Sequence, residues 1–320
     1  MLGIDLAVSG RFPLGIPRGW FQLLWSEELE AGQAVPLRNF GEDFVAWRDL
    51  NGGVHVADAY CPHLGAHLGY GEVGEAGLKC PFHGWTFDSS GRLANIPYGT
   101  KMPFRGQLRS LPVLEANGHI LAWFDPDGNE PRWEAPTVPE VGTEQFGKYF
   151  RTETIRVRSV CQELAENFVD VNHVGHLHGL PPIEELEVAE NGPIRQLSLV
   201  ESIPSPFGPI KIRATLECSG LSYFVLWFRS SVDMCSVTSI VPVDERAVDV
   251  RFSWLSRRKN GRVLSPRVAD TVVDDMLRVF REDMKIWETK MYLDRPRLAS
   301  EDYRIASFRE WASQFYSNLS

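Results

Sequence analysis

The sequence predicts an α+β protein with two domains: an all-β domain, then an antiparallel sheet that a long helix closes. Short apolar segments alternate with polar residues between glycine-rich turns, which is typical of antiparallel strands. One long segment near the end of the chain, Pro266–Met291, has helical periodicity instead. The length of 320 residues suits two domains. We place the boundary after residue 135, which gives domains 1–135 and 136–320.

The strands of the first domain follow an irregular arm over residues 1–20. We predict them at Trp20–Trp25, Gln33–Arg38, Phe44–Leu50, Val54–Ala59, Trp85–Phe87, Arg92–Asn95, Leu111–Ala116 and His119–Phe124. Asn51-Gly52-Gly53 and Asn117-Gly118 are strong hairpin signals, because Asn and Gly accept positive φ angles. Residues 136–147 have the turn-rich composition of a linker.

The second domain begins with a predicted strand, Phe150–Arg158, and a predicted helix, Val160–His173. Five further strand-like segments, joined by short turns, indicate one antiparallel sheet: Ile194–Ile203, Ile210–Cys218, Leu221–Ser230, Cys235–Val243 and Val248–Leu255. The long helix follows, and an aromatic-bearing tail runs to Ser320.

Composition argues against two classes of partner. The net charge of −9 does not suit a nucleic-acid-binding protein, whose phosphate contacts need Lys and Arg. No apolar segment approaches the length of a membrane span, and the first residues lack the features of a secretory signal. Cys161, Cys218 and Cys235 lie in helical or strand-like segments, where buried reduced thiols are common. We therefore expect a cytoplasmic protein.

Two short boxes of one Cys and one His dominate the first domain. They read Cys61-x-His63 and Cys80-x2-His83, whereas a zinc finger usually pairs Cys with Cys and His with His. The pattern resembles the Rieske motif, in which two loop tips hold a [2Fe–2S] cluster and two His replace two Cys on one iron. Because imidazole is neutral, Rieske potentials lie at about −150 to +300 mV, against about −400 mV for plant-type clusters. We therefore expect a cluster that accepts electrons from a flavin or a ferredoxin.

A second group of metal-binding residue types lies within residues 167–178. Asn167, Asp170 and His173 share one helical face, because they are three residues apart. We expect Gly175 to break or distort the helix and so to bring His178 back toward His173. Two imidazoles and one carboxylate form the facial triad of non-haem Fe(II) oxygenases, which leaves coordination positions open for O2.

The carboxylate of that triad is predicted on the last helix. Asp283 lies within the arc of an apolar stripe and Glu282 lies far off it; the stripe consists of Val272, Met276, Phe280, Met284 and Trp287. A carboxylate that faces a core is costly unless it is paired or bound to a metal. We predict His173, His178 and Asp283 as ligands of a mononuclear iron. The alternatives are His176 in place of His178, and Asp283 as an ordinary edge residue of the stripe.

The chain as a whole resembles the terminal oxygenase component of the Rieske non-haem iron oxygenases, through both boxes and the spacing Asp170-x2-His173-x4-His178. Its C-terminal part is most similar to the 3-ketosteroid 9α-hydroxylase oxygenases, through Asp283-x2-Ile286-Trp287, Asp294-x-Pro296 and Trp311-x2-Gln314-Phe315-Tyr316. The resemblance implies a Rieske domain and a helix-grip catalytic domain in a head-to-tail homotrimer. It also implies that Asp170 links the iron of one subunit to the cluster of the next, with Asn167 beside it in the catalytic set.

The activity that this resemblance implies is O2-dependent monooxygenation. Because the sequence has no flavin or nicotinamide fingerprint such as G-x-G-x-x-G, electrons must come from a separate ferredoxin or flavin-containing NAD(P)H reductase. We expect a small apolar, steroid-like polycyclic substrate between the sheet and the closing helix. The candidate pocket residues are Tyr223, Val225, Trp227 and Met234.

Two alternatives remain open. A demethylase or desaturase of the same class would use the same metal ligands. A Rieske electron-transfer protein would need no second metal, but respiratory members carry two extra Cys where this sequence has Ala66 and Phe82, and a ferredoxin would end near residue 125. Iron content separates the classes, at about three per chain for an oxygenase and about two for a ferredoxin.

Overall fold

The computed structural model describes residues 11–99, 107–181, 183, 185–203, 210–229, 233–258 and 265–317. The chain divides into two compact units. Among the described residues, the first unit is 21–135, and the second combines 11–20 with the part that follows residue 135. None of the described helices has both the length and the apolar composition that crossing a bilayer requires.

Short strands build the first unit, as the all-β prediction requires. In chain order they are β1 Gly19–Trp25, β2 Ala34–Asn39, β3 Glu42–Arg48, β4 Val54–Asp58, β5 Glu72–Gly74, β6 Gly77–Lys79, β7 Thr86–Phe87, β8 Leu93–Asn95, β9 Ser110–Leu111, β10 Val113–Ala116 and β11 His119–Phe124. They form sheets of order β1-β11-β10, β2-β3-β4-β9 and β5-β6-β7-β8. The hairpin β5–β6 was not predicted, because its three-residue strands are too short to show alternation.

A buried apolar cluster supports the segment between β4 and β8. It includes Trp47, Leu68, Leu78 and Phe87, all fully buried, and the two cysteines of the Cys/His boxes belong to it. The cysteine side chains are therefore fixed by core packing, whereas the histidines of the boxes reach outward from it.

The second unit contains a seven-stranded antiparallel sheet of order β12-β18-β17-β16-β15-β14-β13. Its strands are β12 Arg151–Val157, β13 Glu185–Asn191, β14 Ile194–Ile203, β15 Ile210–Ser219, β16 Tyr223–Arg229, β17 Met234–Pro242 and β18 Val248–Ser256. Its helices are α1 Cys161–Glu166, α2 Asn172–His178, α3 Pro266–Trp287 and α4 Tyr303–Ala312. The prediction of an antiparallel sheet and a long closing helix is confirmed, but it omitted β13 and α4.

The two faces of this sheet are covered by different parts of the chain. Phe224 of β16 packs on Phe168 beyond α1, and Phe252 of β18 packs on Phe280 of α3, with ring centroids 4.8 and 5.0 Å apart. Thr238 pairs with both Phe224 and Phe252, so these residues share one face, which we call the helix face. The opposite face, the linker face, is covered by residues of 136–150.

The single helix predicted over Val160–His173 is wrong, because the chain forms α1 and α2 with a break between them. The Asp170 carboxylate accepts from the backbone N–H of Asn172 at 3.3 Å, a local hydrogen bond that competes with a continuous helix. The expected break at Gly175 is also wrong, since Gly175 lies inside α2. That helix ends at Gly179, where φ is +64°. The closing helix ends at Trp287, short of the predicted Met291.

The arm before β1 makes its described hydrogen bonds within the second unit. The Arg18 guanidinium donates to the Gln314 carbonyl at 3.0 Å and to Ser317 Oγ at 2.8 Å, and the Arg18 N–H donates to the Phe315 carbonyl. The sequence-based boundary places this arm in the first domain, whereas these contacts join it to the end of the chain.

Candidate metal centres

The two Cys/His boxes form loops of the same construction. In the first loop the Gly65 N–H donates to the Cys61 carbonyl at 2.9 Å, and in the second the Gly84 N–H donates to the Cys80 carbonyl at 3.1 Å. Both glycines have positive φ, +74° and +70°, which is why glycine occupies these two positions. Each loop therefore presents its Cys and His from one tight turn.

The four side chains of the boxes offer suitable donors to an iron–sulfur cluster. Cys61 and Cys80 are buried and unpaired, and burial raises the pKa of Cys61 to about 11. The imidazoles of His63 and His83 lie 4.7 Å apart, and His83 Nδ1 is buried without a hydrogen-bond partner among the described residues. An unsatisfied buried imidazole nitrogen is costly. Together with two unpaired thiols it fits thiolate and imidazole ligation of a cluster.

Aromatic residues hold one of these imidazoles in place. The Trp85 ring stacks on His63 with centroids 4.5 Å apart and an interplanar angle of 6°. Trp85 Nε1 donates to Tyr98 Oη at 2.9 Å. The His63 ring is thus oriented by an indole that is itself anchored.

The second centre joins α2 to α3. His173 and His178 lie at the two ends of α2, and Asp283 lies on α3. Asp283 Oδ1 is 3.6 Å from His173 Nε2 and 3.2 Å from His178 Nε2, and one donor atom from each of the three residues lies within 4.8 Å of the others. The structure therefore brings together the three residues predicted as a facial triad.

The chemistry of this donor set fits a cation better than a hydrogen-bonded network. His178 Nε2 is buried and has no hydrogen-bond partner in the described part of the chain, although Asp283 Oδ1 is only 3.2 Å away. Burial raises the pKa of Asp283 against the opposing effect of both imidazoles. The imidazole lone pairs of His173 and His178 converge with the poorly solvated Asp283 carboxylate on one position, and a divalent metal stabilises such an arrangement.

Asn167 and Asp170 flank this donor set, as their spacing predicted. Asn167 Nδ2 donates to Asp283 Oδ2 at 3.1 Å and lies 3.3 Å from His173 Nε2. The Asp170 carbonyl contacts His173 Nδ1, and its Oδ2 lies 3.6 Å from the same nitrogen. The neighbouring His173 imidazole lowers the pKa of Asp170, so the carboxylate is ionised beside the ring.

Sequence reasoning missed one residue of the site and kept one alternative that the geometry does not favour. Glu282, expected to point away, has Oε2 2.8 Å from His178 Nδ1. Periodicity could not reveal it, because the residue reaches outward around α3 to an imidazole that α2 supplies. His176, the alternative ligand, is exposed and does not belong to the group of His173, His178 and Asp283.

The candidate pocket residues divide between the two faces of the sheet. Tyr223, Val225 and Trp227 lie on the linker face; Trp227 packs on Phe146 at 5.3 Å. Val225 and Trp227 also line a cavity of about 340 Å³ whose walls include none of the metal-centre residues. The expectation that these three face the closing helix is therefore wrong, because the strand register turns the even-numbered residues of β16 toward it. Met234, which pairs with Phe228, lies on the helix face.

Comparison with known proteins follows the same division of the chain. The Rieske [2Fe-2S] domain family matches residues 19–112. The family of the 3-ketosteroid 9alpha-hydroxylase C-terminal domain matches residues 122–316, more than half of the chain. The chain is a Rieske oxygenase of this family.

Two curated relatives align with nearly the whole of this chain. Cholesterol 7-desaturase of Xenopus laevis is 31% identical, covering 98% of this chain and 74% of the relative. A 3-ketosteroid-9-alpha-monooxygenase oxygenase component of Rhodococcus rhodochrous is 29% identical, covering 94% and 83%.

Solved structures of low identity share the fold. Dicamba monooxygenase bound to dicamba aligns with a TM-score of 0.71 at 19% identity, covering 94% of this chain and 98% of that one. NdmA of Pseudomonas putida CBB5 with caffeine aligns with a TM-score of 0.70 at 19% identity, covering 92% and 89%.

The Rieske oxygenase is thus an oxidoreductase, the terminal oxygenase component of a multicomponent system. Its cofactors are a [2Fe–2S] Rieske cluster and a mononuclear non-haem iron, with O2 as co-substrate. The prediction of the class and its cofactors is confirmed.

Proposed function

We propose that this Rieske oxygenase hydroxylates an apolar, steroid-like polycyclic substrate with O2 and externally supplied electrons. Two observations carry the proposal: His173, His178 and Asp283 converge in the second unit, and the first unit presents a pair of Cys/His loops. Two relatives of different activity are both named for a sterol or steroid substrate, which supports a fused-ring skeleton.

The roles of the site residues follow from their contacts. We propose that Cys61, His63, Cys80 and His83 hold the cluster, and that His173, His178 and Asp283 hold the iron. When bound, this iron supplies the activation of O2 next to the substrate C–H bond. Asn167 restrains Asp283 through its hydrogen bond to Oδ2, and so fixes which carboxylate oxygen faces the imidazoles.

Asp170 is proposed as the electron-transfer bridge between subunits. Its carboxylate lies 3.6 Å from His173 Nδ1, and the side chain is 33% exposed, so a group from outside the unit can reach it. A carboxylate between two ligand imidazoles would orient both rings and couple them electronically. In that arrangement the second imidazole comes from the cluster of a neighbouring subunit.

Exposed apolar side chains support a head-to-tail homotrimer. Around the cluster loops Leu64, Phe82 and Tyr98 are 65%, 61% and 63% exposed. In the second unit four apolar side chains that follow Asp283 in the sequence are exposed as well: Ile286, Met291, Leu293 and Tyr303. Exposed apolar patches of this kind are typical of surfaces that bind protein, and a heterologous contact between the two sets would give a ring if its rotation closes after three copies.

Electrons are proposed to come from a separate ferredoxin or flavin-containing NAD(P)H reductase. This Rieske oxygenase is one component of a system, like its Rhodococcus rhodochrous relatives. We also propose a cytoplasmic location, because all five cysteines are buried and unpaired.

The helix face of the sheet is proposed as the substrate surface. Phe224, Leu226 and Phe228 alternate along β16 on this face, and Met234 lies opposite Phe228. Phe224 contacts Phe168, the neighbour of Asn167, so this row begins near the metal centre. Five residues of a strand extend about 14 Å, which suits a flat polycyclic skeleton.

Desaturation is the second candidate function, favoured by the 31% identity to cholesterol 7-desaturase. Hydroxylation and desaturation use the same ligands and differ in how the substrate C–H bonds face the iron. Oxidative demethylation remains a third outcome of the same chemistry.

Product analysis tests the proposal. The purified protein, a surrogate reductase, NAD(P)H and isotopically labelled O2 are incubated with a panel of steroids and aromatic acids, and products are identified by mass spectrometry. Hydroxylation yields a steroid one labelled oxygen heavier; a product two hydrogens lighter indicates desaturation. Turnover of the aromatic acids alone would overturn the steroid proposal.

Metal analysis tests the ligand assignment. About three irons per chain are expected in the purified protein and about two in His178→Ala, which keeps the Rieske absorption. His176→Ala is the matched control and should keep all its iron. The assignment fails when His176→Ala loses the iron and His178→Ala retains it.

A further inference from the structure

We infer that Glu282 is a positioning residue that fixes the orientation of His178, an inference that rests on the proposed role of His178 as an iron ligand. Glu282 Oε2 lies 2.8 Å from His178 Nδ1. The other ring nitrogen, Nε2, faces Asp283 Oδ1 at 3.2 Å. Two consecutive residues of α3 therefore contact opposite nitrogens of one imidazole.

Helix geometry explains how neighbours can act on one ring. Successive residues of an α-helix point about 100° apart, so Asp283 faces inward and Glu282 points to the side of α3. His178 lies at the end of α2, and its side chain is 1% exposed. The imidazole thus fits into the angle between two carboxylates, and its plane is tied to the rotation of α3 about its axis.

A second contact keeps Glu282 in this position. Arg278 Nη1 donates to Glu282 Oε1 at 2.8 Å, and the two residues are four apart on α3. Glu282 therefore accepts from Arg278 with one oxygen and contacts the imidazole with the other. The guanidinium balances the charge that a second carboxylate brings close to Asp283.

The two ligand imidazoles are held differently. His173 Nδ1 contacts the backbone carbonyl of Asp170, with the carboxylate at 3.6 Å. His178 Nδ1 contacts a carboxylate directly. A proton held at Nδ1 leaves the lone pair on Nε2 for the metal, and a carboxylate acceptor increases the basicity of that lone pair. Glu282 therefore strengthens and aims the bond from His178, while Asp170 remains available for the electron route.

The test compares Glu282→Ala, Glu282→Gln and Glu282→Asp with Asp274→Asn in the purified holoprotein. Asp274 is an exposed carboxylate on the same helix that pairs with Arg151. Two quantities are measured: the rate at which a ferrous chelator removes the mononuclear iron, and the electron paramagnetic resonance spectrum of the Fe(II)–nitric oxide adduct. Rieske absorption and thermal unfolding report on folding.

Glu282→Ala is expected to weaken iron binding by about 10- to 100-fold and to change the rhombicity of the adduct. Glu282→Gln should shift both in the same direction by less, Glu282→Asp should restore part of both, and Asp274→Asn should match the wild type. Wild-type iron release and spectrum in Glu282→Ala would overturn the inference. Should Glu282→Ala fail to fold, Glu282→Gln decides on the same criteria.

A parallel measurement on His178→Ala separates two kinds of failure. When His178→Ala loses the iron and Glu282→Ala does not, only the positioning role is wrong. When His178→Ala keeps the iron, the proposed ligand set is wrong and the inference falls with it.

Discussion

The proposed cluster loops and the proposed iron site of this Rieske oxygenase are assembled in opposite ways. All four cluster residues lie between Cys61 and His83, on two loops of the same construction that project from one apolar core. The iron site joins two histidines that are close in sequence on α2 to a carboxylate about a hundred residues later on α3. The first depends on backbone conformation, whereas the second depends on packing between helices and on buried charge.

This difference indicates where each site is fragile. Loops that depend on positive φ and close backbone approach tolerate no added Cβ at certain positions. A site that depends on charges buried between helices is sensitive to the loss of any one partner. The following four changes test the contrast, beginning with the largest expected effect.

Gly77→Ala should disrupt the cluster loops most severely. A Cβ at Gly77 would lie 2.0 Å from the Phe87 carbonyl oxygen, and φ there is +115°. We expect a destabilisation of about 3 kcal/mol or more and loss of the Rieske absorption. The same hairpin supplies the control: Gly74→Ala meets nothing within 4 Å. Equal cluster content in both variants would contradict the dependence on backbone approach.

Asp170→Asn should block electron transfer between the cluster and the iron without removing either metal centre. The amide keeps the shape of the side chain but loses the charge beside His173, so reoxidation of the reduced cluster during turnover should slow by about 100-fold. Stopped-flow absorption measures that rate, and metal analysis checks that the iron remains. Asp302→Asn is the control, since Asp302 accepts from Asn172 but contacts neither imidazole. Fast reoxidation coupled to product would exclude the bridging role.

Lys290→Met should destabilise the helical part of the second unit. Lys290 pairs with the buried carboxylate of Glu163 on α1, and burial raises the pKa of Glu163. Removing the lysine leaves that carboxylate unpaired, at a cost of about 2 kcal/mol; this is less than for a fully buried pair because Lys290 is one-third exposed.

The pH dependence of this loss has a definite sign. When a carboxyl group has a raised pKa in the folded state, the folded protein loses stability as the pH rises through that raised pKa. The deficit of Lys290→Met should therefore be larger at about pH 8 than at about pH 5, as measured by denaturant unfolding. Adding Glu163→Gln should recover part of it; a double variant as unstable at the higher pH as the single one would refute the pairing.

Asp49→Asn should have the smallest effect. Asp49 accepts from the N–H groups of Asn51 and Gly53 at 2.9 Å, and the hydrogen bond with His55 lowers its pKa. The stabilisation is present above the unfolded-state pKa of about 3.9 and is lost as the pH falls through the lower folded-state value. We expect a loss of about 1 kcal/mol near neutral pH and a shallower acid-unfolding curve. Glu75→Gln, at an exposed position of the same unit, should change neither.

The same contrast explains what the sequence revealed. The cluster ligands could be predicted from residue type, spacing and resemblance to the Rieske motif, because each loop places its Cys and His within four residues. His173, His178 and Asp283 were found by combining residue type with an apolar stripe, yet the reason given for the approach of the histidines was wrong. Gly175 does not break α2; the break precedes it, where the Asp170 side chain bonds to the backbone.

The remaining errors concern contacts between elements that are distant in the sequence, which the pattern of one segment cannot reveal. Periodicity shows that Tyr223, Val225 and Trp227 share a face, but not which face meets the helices. That choice depends on strand register and on the linker that covers the other side. Glu282 was dismissed for the same reason, since its partner belongs to another helix.

The outermost strands of the seven-stranded sheet have a consequence for assembly. β13 carries Glu185, Glu187 and Glu190 with most of its side chains in solvent, and β12 carries Arg151, Glu153 and Arg156. Charged borders of this kind resist pairing with a strand from another molecule and so suppress aggregation. Pairing between the sheet edges of two copies is thereby disfavoured, which leaves the proposed trimer to form through other surfaces.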